Sequence, residues 1–587
     1  MSTVSNNSVF IQWILSVLVE YQRQSSLTRV VIMKLLTETW SRITPQSISY
    51  EAMTGIIAVY FGLVLNFPII RKIYQLSTEG HVLFSLTPAI LLSGCFMVIF
   101  SIFAFRFVYK PAMIVLILSS SAAMYAMLQY NVILDYSMIE NIFETNSGEA
   151  ISYLSINSVG YVLVFGILPS VWVYRTNIAS QVSLTKALFR RVGFVVLGLA
   201  VIGVMVLFFY KDYASVGRNN QYLNKMIIPA HIYNTAKYIN QRFFSEKLTF
   251  NPIGQDAKLV PVANGKPTLM VLVVGETARA QNMAHNGYQR NTNPYTENLG
   301  IIALQDVSSC GTATAHSLPC MFSNLTRNDY SRKAADAQNN VLDVIKAAGV
   351  EVTWFDNDGG DKAVGARINK IDISPSENNP LCDGLSCYDE ILIEKLTQKL
   401  QQDTQTSAAS GKGLANQFIA LHTIGSHGPT YWQRYPANKA SFTPECNRSD
   451  IENCTDQEIV NVYDNTIVYT DFVLAKTIKV LEQYQDKYNV ALVYLSDHGE
   501  SLGENGMYLH GTPYSIAPSQ QTHVPWFMWL PQDYTQAKGV DRECLVEHAQ
   551  TASYSHDNLF HSLLGLYGVN TSVRDAALDM TSRCKLN

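Results

Sequence analysis

The sequence predicts a two-part protein, in which an α-helical membrane domain of five transmembrane helices is followed by an α/β domain outside the cytoplasm. Three observations lead to this prediction. Five long apolar runs are confined to the first 210 residues, strands alternate with helices after about residue 250, and eight of the nine cysteines follow the last apolar run. The 587 residues also exceed the roughly 250 to 300 at which one core stops growing, so at least two domains are expected.

Composition excludes two broad classes of protein. Hydrophobic residues make up 48% of the chain and charged residues 15%, a balance that excludes a disordered protein. Residues 1 to 210 carry 12 Lys and Arg against 8 Asp and Glu, whereas the whole chain has a net charge of -4, so the remainder is acidic. A nucleic-acid partner is therefore not expected.

The apolar runs lie at about 52 to 70, 82 to 105, 111 to 130, 158 to 174 and 192 to 210, and each approaches the roughly 20 residues of a membrane-spanning helix. Four basic residues precede the first run, four lie between the fourth and fifth, and none lies between residues 131 and 157. Because Lys and Arg concentrate in cytoplasmic connections, the N-terminus is predicted to be cytoplasmic. An odd number of spans then places everything after Tyr210 outside the cytoplasm.

This topology divides the chain into four expected segments. A cytoplasmic N-terminal extension over residues 1–50 precedes a five-helix transmembrane domain over 51–210. A connector on the membrane surface over 211–250 leads to the α/β domain over 251–587. Cysteine placement is consistent with this topology, because Cys95 lies in a span and the other eight follow the last span, as suits an oxidising compartment. The close spacings favour three local disulfides, Cys310 with Cys320, Cys382 with Cys387 and Cys446 with Cys454, which leaves Cys544 with Cys584. Free buried thiols are the alternative.

Short apolar strands and amphipathic helices alternate in the C-terminal part. The predicted strands are Leu269–Val274, Val352–Phe355, Phe418–His422, Val490–Leu495 and Trp526–Leu530. The predicted helices are Val341–Ala348, which Gly349 ends, Ile459–Tyr484 and Asn558–Tyr567. This alternation indicates a layered α/β sheet.

Two of these strands are followed by residues of the types that commonly bind metals. The run LMVLVVGE ends at Glu276, and VALVYLSDHGES carries Asp497 and His498 just after its strand. In open α/β sheets, sites form beyond the carboxyl ends of strands. Two carboxylates and an imidazole suit zinc or manganese, so the sequence predicts a metal site at this edge.

Other polar residues extend this candidate site. His427 and His510 lie in polar, glycine-rich loops that suit ligand approach, whereas His422 lies on a strand, where a core role and a supporting role are equally expected. A nucleophile would come from the segment SSCGTATAHSLPC between two cysteines. Its candidates are Ser309, Thr312, Thr314 and Ser317, and spacing alone does not choose among them; a helix cap is the alternative role for each.

Several blocks of the chain together resemble a known enzyme family. VVGETARAQNMAHNGYQRNTNP, SCGTATAHSLPCMFSN, HTIGSHGPTYWQRYP and SDHGESLGENGMYLHGTPY occur in order behind five apolar runs. They are similar to blocks of the lipid A phosphoethanolamine transferases, inner-membrane enzymes of Gram-negative bacteria that include polymyxin and colistin resistance determinants. The resemblance runs from about residue 50 to the end. It implies a periplasmic catalytic domain of the alkaline-phosphatase and sulfatase type.

The resemblance also implies roles for individual residues. Zinc would be held by Glu276, Thr312, Asp497 and His498, with Thr312 as the nucleophile. The remaining positions would contact substrate. His427 and His510 would bind the phosphoryl group, a second zinc or both, and one of them would protonate the leaving oxygen. Lys362 would contact substrate. Asn141, Thr145 and Glu149 would share one face of a helix that binds the lipid donor.

The chain departs from the family pattern near Lys362. Close members often carry a cysteine pair at the positions of Asp361 and Gly365, and several have Asn at the position of Asp358. One disulfide of the family pattern is therefore missing from this sequence.

The expected function follows from the resemblance. It is the transfer of phosphoethanolamine from phosphatidylethanolamine to a phosphate of lipid A, by a zinc-assisted double displacement through a phosphoethanolamine-threonine intermediate. Reduced negative surface charge would confer polymyxin resistance. The alternatives are transfer to core oligosaccharide or periplasmic glucan, a membrane-tethered zinc phosphatase or sulfatase-like hydrolase, and a zinc-binding scaffold without activity. We expect a monomer.

Overall fold

A computed structural model describes residues 47–76, 82–105, 107–145, 150–151, 153–179 and 183–586. Nearly all of the predicted extension over residues 1–50 lies outside these ranges. The chain forms two compact units. The first holds the described residues up to Ser121 together with Val162–Asn219, and the second holds Ala122–Tyr161 together with the chain from Asn220 onward.

Apolar helices dominate the N-terminal part. Within the described residues, four helices are long and apolar enough to cross a membrane, or five if a pair bent by 50° counts as one span. The bent pair is Tyr50–Leu65 and Phe67–Leu76, and the other helices are Val82–Ser101, Tyr109–Gln129, Ile156–Arg175 and Leu184–Asn219. The predicted spans thus correspond to helices, although the last helix continues past the predicted end at residue 210.

Two glycines let helices of the first unit approach closely. A Cβ on Gly94 would lie 3.2 Å from the Gly198 carbonyl oxygen, and a Cβ on Gly198 would lie 3.1 Å from the Gly94 oxygen. Small residues at such crossings are typical of helix packing in lipid, where close backbone contact replaces hydrophobic driving force.

A seven-stranded sheet forms the centre of the second unit. Its strands are β1 (Thr268–Gly275), β2 (Ile302–Leu304), β3 (Glu351–Asp356), β4 (Asn369–Asp372), β5 (Gln417–His422), β6 (Asn489–Ser496) and β7 (Trp526–Trp529). Their order in the sheet is β2-β7-β6-β1-β5-β3-β4. Strand β7 is antiparallel to both of its neighbours, and the other pairs are parallel. Each of the five predicted strands is confirmed to within two residues.

Helices of the second unit precede, connect and cover this sheet. They are α1 (Tyr136–Glu144), α2 (Ala230–Ile239), α3 (Thr314–Met321), α4 (Arg332–Asp336), α5 (Val341–Ala347), α6 (Glu390–Ser410), α7 (Asp456–Glu482), α8 (Ser519–Thr522), α9 (Gln532–Ala537), α10 (Arg542–Thr551) and α11 (Leu559–Tyr567). Every residue of β1 and β6 is buried, because the sheet is covered on both faces. Three two-stranded ladders complete the unit: Lys258–Leu259 with Val569–Asn570, Asp306–Ser308 with Ser553–Ser555, and Ser501–Leu502 with Tyr508–Leu509.

The predicted cysteine pairing is confirmed. All four expected disulfides are present: Cys310 with Cys320, Cys382 with Cys387, Cys446 with Cys454, and Cys544 with Cys584. Cys95 is the free cysteine of the described chain.

Helix α1 ends earlier than the sequence predicts. Asp135 caps its start by accepting hydrogen bonds from the main-chain N–H groups of Ser137 and Met138, and the helix ends at Glu144. Thr145 is already extended, and its hydroxyl donates to the Asn141 carbonyl at 2.7 Å. The expectation that Asn141, Thr145 and Glu149 share one helical face is therefore wrong for Thr145, and Glu149 lies outside the described residues.

Candidate active site

The two predicted metal-binding strand ends meet at one edge of the sheet. Strands β1 and β6 are parallel neighbours, and Gly275 pairs with Ser496, so the next residues of both strands emerge side by side. One ligand atom from each of Glu276, Asp497 and His498 lies within 4.8 Å of the others, and all three side chains are fully buried.

The hydrogen bonds of His498 leave one ring nitrogen available to a cation. Its Nδ1 lies 2.9 Å from the Gly499 carbonyl oxygen, which can only accept, so Nδ1 carries the proton. Nε2 then presents its lone pair 3.5 Å from Glu276 Oε1 and 3.3 Å from Asp497 Oδ2. Asp497 Oδ2 is buried without a hydrogen-bond partner. These residues fit a divalent cation, which would satisfy that oxygen.

The electrostatics of this cluster also favour a cation. Burial opposes ionisation of Glu276, but the imidazoles of His498, His427 and His510 hold its pKa below the usual range. Burial and the adjacent Glu276 raise the pKa of Asp497 well above its usual value. Burial lowers the pKa of His498 to about 4, and the adjacent Glu276 opposes this shift. Two touching buried carboxylates ionise together only when a positive charge lies between them.

A threonine hydroxyl lies directly against this cluster, and it belongs to Thr314. Its Oγ1 donates to Glu276 Oε2 at 3.0 Å and lies 3.2 Å from His498 Nε2. Thr314 is the first residue of α3, so the positive end of the helix dipole lies at this hydroxyl. The disulfide between Cys310 and Cys320 joins the preceding loop to the helix.

The other three candidate hydroxyls bond to the main chain. Thr312 Oγ1 donates to the Thr512 carbonyl at 2.7 Å, Ser309 donates to the Gly311 carbonyl at 2.6 Å, and Ser317 donates to the Asp497 carbonyl at 2.5 Å. The expected placement of Thr312 among the metal ligands therefore differs from its geometry. Thr312 precedes the helix and turns toward the 512 loop, whereas the first turn of α3 directs Thr314 to the cluster.

His427 and His510 extend the site on one side. The ring centroid of His510 lies 4.5 Å from that of His498 and 5.6 Å from that of His427. His510 Nδ1 lies 2.9 Å from Glu500 Oε2, and Tyr431 donates its phenol proton to the other oxygen of Glu500. The carboxylate therefore fixes the orientation of the His510 ring.

Lys362 lies against α1 and not against the metal-binding cluster. Its Nζ donates to the Glu144 carbonyl at 3.1 Å, at the C-terminal end of α1, where a positive charge is favourable. Arg332 joins the same elements. It bonds to Glu144 Oε1 at 3.3 Å, to the Lys362 carbonyl at 2.9 Å and to the Ala315 carbonyl of α3 at 3.4 Å.

The loop that carries Lys362 is held by a carboxylate. Asp361 accepts from the Gly365 main-chain N–H at 2.6 Å and forms an ion pair with Lys370 at 3.1 Å. The hydrogen bond from Gly365 to Asp361 joins the two positions at which the family pattern has cysteines.

Sequence reasoning did not single out Arg332, Glu144 or Glu500. Arg332 follows a polar turn and Glu144 ends a short helix, so neither has a motif around it. Glu500 does lie in the segment SDHGES, two residues after His498, and this proximity was an available signal.

Comparisons with known proteins agree with this architecture. Residues 268–569 match the sulfatase family model, and residues 92–243 match the model for phosphoethanolamine transferases EptA and EptB. Phosphoethanolamine transferase EptA of Escherichia coli K12 is 38% identical over 549 residues, covering 92% of this chain and 98% of that protein. The Escherichia coli phosphatidylethanolamine transferase Mcr-1 is 33% identical, covering 91% and 97%.

A solved structure is similar over nearly the full chain. The integral membrane protein lipooligosaccharide phosphoethanolamine transferase A of Neisseria meningitidis superimposes with a TM-score of 0.87 at 34% identity, covering 92% of this chain and all of that one.

The fold therefore defines an integral membrane enzyme that carries a soluble domain of the alkaline-phosphatase and sulfatase type after its transmembrane helices. Within that class, the chain belongs to the phosphoethanolamine transferase family, because its similarity to these transferases extends over both the helical and the soluble parts. It is a transferase whose substrates are lipids.

Proposed function

We propose that the protein transfers phosphoethanolamine from phosphatidylethanolamine to a phosphate group of lipid A, and that Thr314 carries the group between them. The contact that supports Thr314 is its hydroxyl at 3.0 Å from Glu276 and 3.2 Å from His498. The acceptor is supported by the resemblance of the sequence blocks and by a relative named lipooligosaccharide phosphoethanolamine transferase.

In the first half-reaction, Thr314 Oγ1 attacks the donor phosphorus, and the bond from phosphorus to the diacylglycerol oxygen breaks. The hydroxyl already donates to Glu276 Oε2, so this carboxylate is placed to take the proton. His510, protonated and held by Glu500, is placed to give a proton to the departing oxygen. The products are diacylglycerol and phosphoethanolamine esterified to Thr314.

The second half-reaction reverses these roles. A lipid A phosphate monoanion gives its proton to His510 and attacks the phosphorus of the adduct. The bond to Thr314 breaks, and Glu276 returns the proton to the threonine oxygen. The enzyme regains its starting protonation state, and the acceptor phosphate carries a phosphoethanolamine group with a positive ammonium. A surface modified in this way would bind cationic peptides such as polymyxins less strongly.

We further propose that Glu276, Asp497 and His498 hold zinc, with the Thr314 oxygen beside it. A bound zinc ion would lower the pKa of the threonine hydroxyl and neutralise charge on the phosphoryl oxygens. Catalytic zinc is typically held by three protein ligands and keeps a fourth position open for water or substrate. His498 contributes through Nε2, because Nδ1 is already bonded to the Gly499 carbonyl.

Mass spectrometry of two species tests this function. Cells that express the chain should yield lipid A heavier by one phosphoethanolamine group. Purified enzyme incubated with phosphatidylethanolamine vesicles should carry the same mass increment on the peptide that contains Thr314. Unmodified lipid A together with modified core sugar would refute the acceptor, and an adduct on Thr312 would refute the nucleophile.

A further inference from the structure

A buried histidine that the proposed reaction does not use joins two parts of the candidate active site. His556 follows the strand Ser553–Ser555 and precedes α11, and it is 1% exposed. Its Nε2 lies 3.0 Å from the carbonyl oxygen of Ser496, the last residue of β6. Its Nδ1 lies 3.1 Å from the main-chain nitrogen of Cys310. One imidazole therefore connects the strand end beside the metal-binding cluster with the nucleophile segment, residues 309–320, which carries the candidate hydroxyls.

The two partners fix the position of the proton on this ring. A carbonyl oxygen only accepts hydrogen bonds, so the proton is on Nε2 and is donated to Ser496. A main-chain N–H only donates, so Nδ1 offers its lone pair to Cys310. An imidazolium would turn a second N–H toward the N–H of Cys310, and the neutral ring is therefore the form that makes both bonds. Burial lowers the pKa of His556 to about 3, which favours the same form.

The ring extends from a backbone that is fixed on both sides. Ser555 pairs with Ser308 in a parallel ladder. The Ser555 hydroxyl accepts from the Asp557 main-chain N–H at 3.2 Å, and the Asn558 side chain accepts from the Ser555 main-chain N–H at 2.8 Å. The hydrogen bonds of His556 therefore start from a fixed point.

Ser317 adds a second connection beside the first. Its hydroxyl donates to the Asp497 carbonyl at 2.5 Å and accepts from the Gly311 main-chain N–H at 3.2 Å. The consecutive N–H groups of Cys310 and Gly311 are thus bound by the His556 ring and by Ser317, respectively. The two connections end on the consecutive carbonyl groups where β6 ends and the metal ligands begin.

The disulfide between Cys310 and Cys320 does not replace these connections, because both cysteines lie on the nucleophile segment itself. It stiffens the segment, but its bond does not set the distance from the segment to β6. That distance matters for the proposed reaction. Thr314 Oγ1 lies 3.0 Å from Glu276 Oε2 and 3.2 Å from His498 Nε2, and a displacement of about 1 Å in such an arrangement lowers the rate by about 10²-fold.

We propose that His556 is a positioning residue of the transfer reaction, whose ring sets the distance between the nucleophile segment and the end of β6. It acts through its two main-chain bonds and takes no part in proton transfer. This inference rests on the proposed function, because it assumes that a hydroxyl of the nucleophile segment attacks the phosphorus. It applies to Thr314 and to Thr312 alike, since the bond at Cys310 precedes both residues.

Three substitutions at His556 separate the two bonds. His556→Ala removes both of them. His556→Asn places an amide near the Nδ1 position and keeps an acceptor for Cys310, whereas His556→Gln places an amide near the Nε2 position and keeps a donor for Ser496. The assay is diacylglycerol release from phosphatidylethanolamine vesicles by the full-length protein after equilibration with Zn²⁺.

The expected loss is in kcat and not in KM. His556→Ala should lower kcat by about 10²-fold and leave KM within about twofold of the wild-type value, because the donor site is intact and only the attack is misaligned. The Asn and Gln variants should each regain about three- to tenfold of that loss, since each restores one bond. Zinc content by elemental analysis should equal that of the wild type in all three variants.

His561 provides a matched control on α11. It is 4% exposed, and its Nδ1 accepts from the Asp575 main-chain N–H at 2.9 Å. His561→Ala therefore removes a buried imidazole with a comparable bond, whose partner belongs neither to the nucleophile segment nor to β6. Its kcat should stay within about threefold of the wild type even if its unfolding temperature falls as far as that of His556→Ala.

A double substitution tests whether His556 acts through the hydroxyl. In the Thr314→Val background, His556→Ala should lower the remaining rate by less than about twofold, because the group that it positions is already absent. A further loss of about 10²-fold in that background would show that His556 acts apart from the hydroxyl, and the proposal would fail.

Other contrary results are equally decisive. A wild-type kcat in His556→Ala would overturn the positioning role, as would a loss of zinc from that variant or an equal loss of kcat in His561→Ala. If His556→Ala does not fold, wild-type rates in both the Asn and the Gln variants overturn the role. Undiminished release by Thr314→Val would instead refute the proposed nucleophile, and the single His556 variants would still decide the positioning role.

Discussion

Replacing each of two neighbouring threonines with valine tests the assignment of the nucleophile. Thr314 and Thr312 are both buried, at 5% and 7% exposure, and valine matches the shape of threonine. Each hydroxyl makes one short hydrogen bond, from Thr314 to the Glu276 carboxylate and from Thr312 to the Thr512 carbonyl. Either substitution leaves one buried acceptor without that donor, which costs about 1 to 3 kcal/mol of folding stability.

Because the two substitutions should cost similar folding stability, a difference in activity between the two variants identifies the hydroxyl that takes part in the reaction. Thr314→Val should lower the rate of diacylglycerol release by about 10⁴-fold or more, which corresponds to about 5 kcal/mol of lost transition-state stabilisation. Thr312→Val should stay within about tenfold of the wild type. Thr314→Ser keeps a hydroxyl at this position and should still form the covalent adduct.

The assay is diacylglycerol release from phosphatidylethanolamine vesicles by the zinc-loaded, full-length protein, with thermal unfolding of each variant measured in parallel. Equal unfolding temperatures with unequal rates are the expected outcome. The assignment would be refuted if Thr312→Val lost the adduct while Thr314→Val retained it.

Three further results are expected. Chelation should remove zinc and abolish transfer, and Zn²⁺ should restore it; full transfer by a protein verified to be metal-free would contradict the proposed zinc site. Arg332→Gln should lower transfer from lipid more than hydrolysis of a water-soluble phosphoethanolamine ester, because Arg332 joins α1 to α3 and to the Lys362 loop; equal losses would show a general structural role. Burial raises the pKa of Glu140 to about 7, and Arg332 opposes this shift. The ionised form of Glu140 therefore destabilises the folded state. This free-energy cost is absent below about pH 4.5, grows between pH 4.5 and pH 7, and is complete above pH 7. Glu140→Gln should therefore stabilise the protein by roughly 3 kcal/mol at pH 8 and by little at pH 4.5, and a difference independent of pH in thermal unfolding would contradict this.

The sequence was sufficient to predict the cluster of Glu276, Asp497 and His498, because each residue directly follows a continuous apolar strand. Parallel strands deliver their carboxyl ends to the same edge, so the approximate position of such residues requires no further information. The disulfides were predictable for a similar reason, since three of the four join cysteines that are at most ten residues apart.

The choice between Thr312 and Thr314 could not be made from the residues alone. Both lie between Cys310 and Cys320, and both have a hydroxyl on the same short segment. The outcome depends on the residue at which α3 begins, and the boundaries of a helix are the least certain part of any sequence-based assignment. The same uncertainty affected α1, whose end at Glu144 removes Thr145 from the predicted helical face.

The order of strands explains why Glu276 lies at the centre of the polar edge of the sheet. Strand β1 lies between β6 and β5, and β3 lies beyond β5. The ligand-bearing ends therefore follow one another along the edge, with Asp497 and His498 after β6, Glu276 after β1, His422 at the end of β5 and Asp358 after β3. Residue pairing sets how far along the strand direction each of these residues lies. His422 pairs with Val274 on one side and with Asp356 on the other, so it lies two residues short of Glu276. A central strand whose neighbours on both sides end in polar residues places its carboxylate among those residues, and the positions directly after the strands supply most of them.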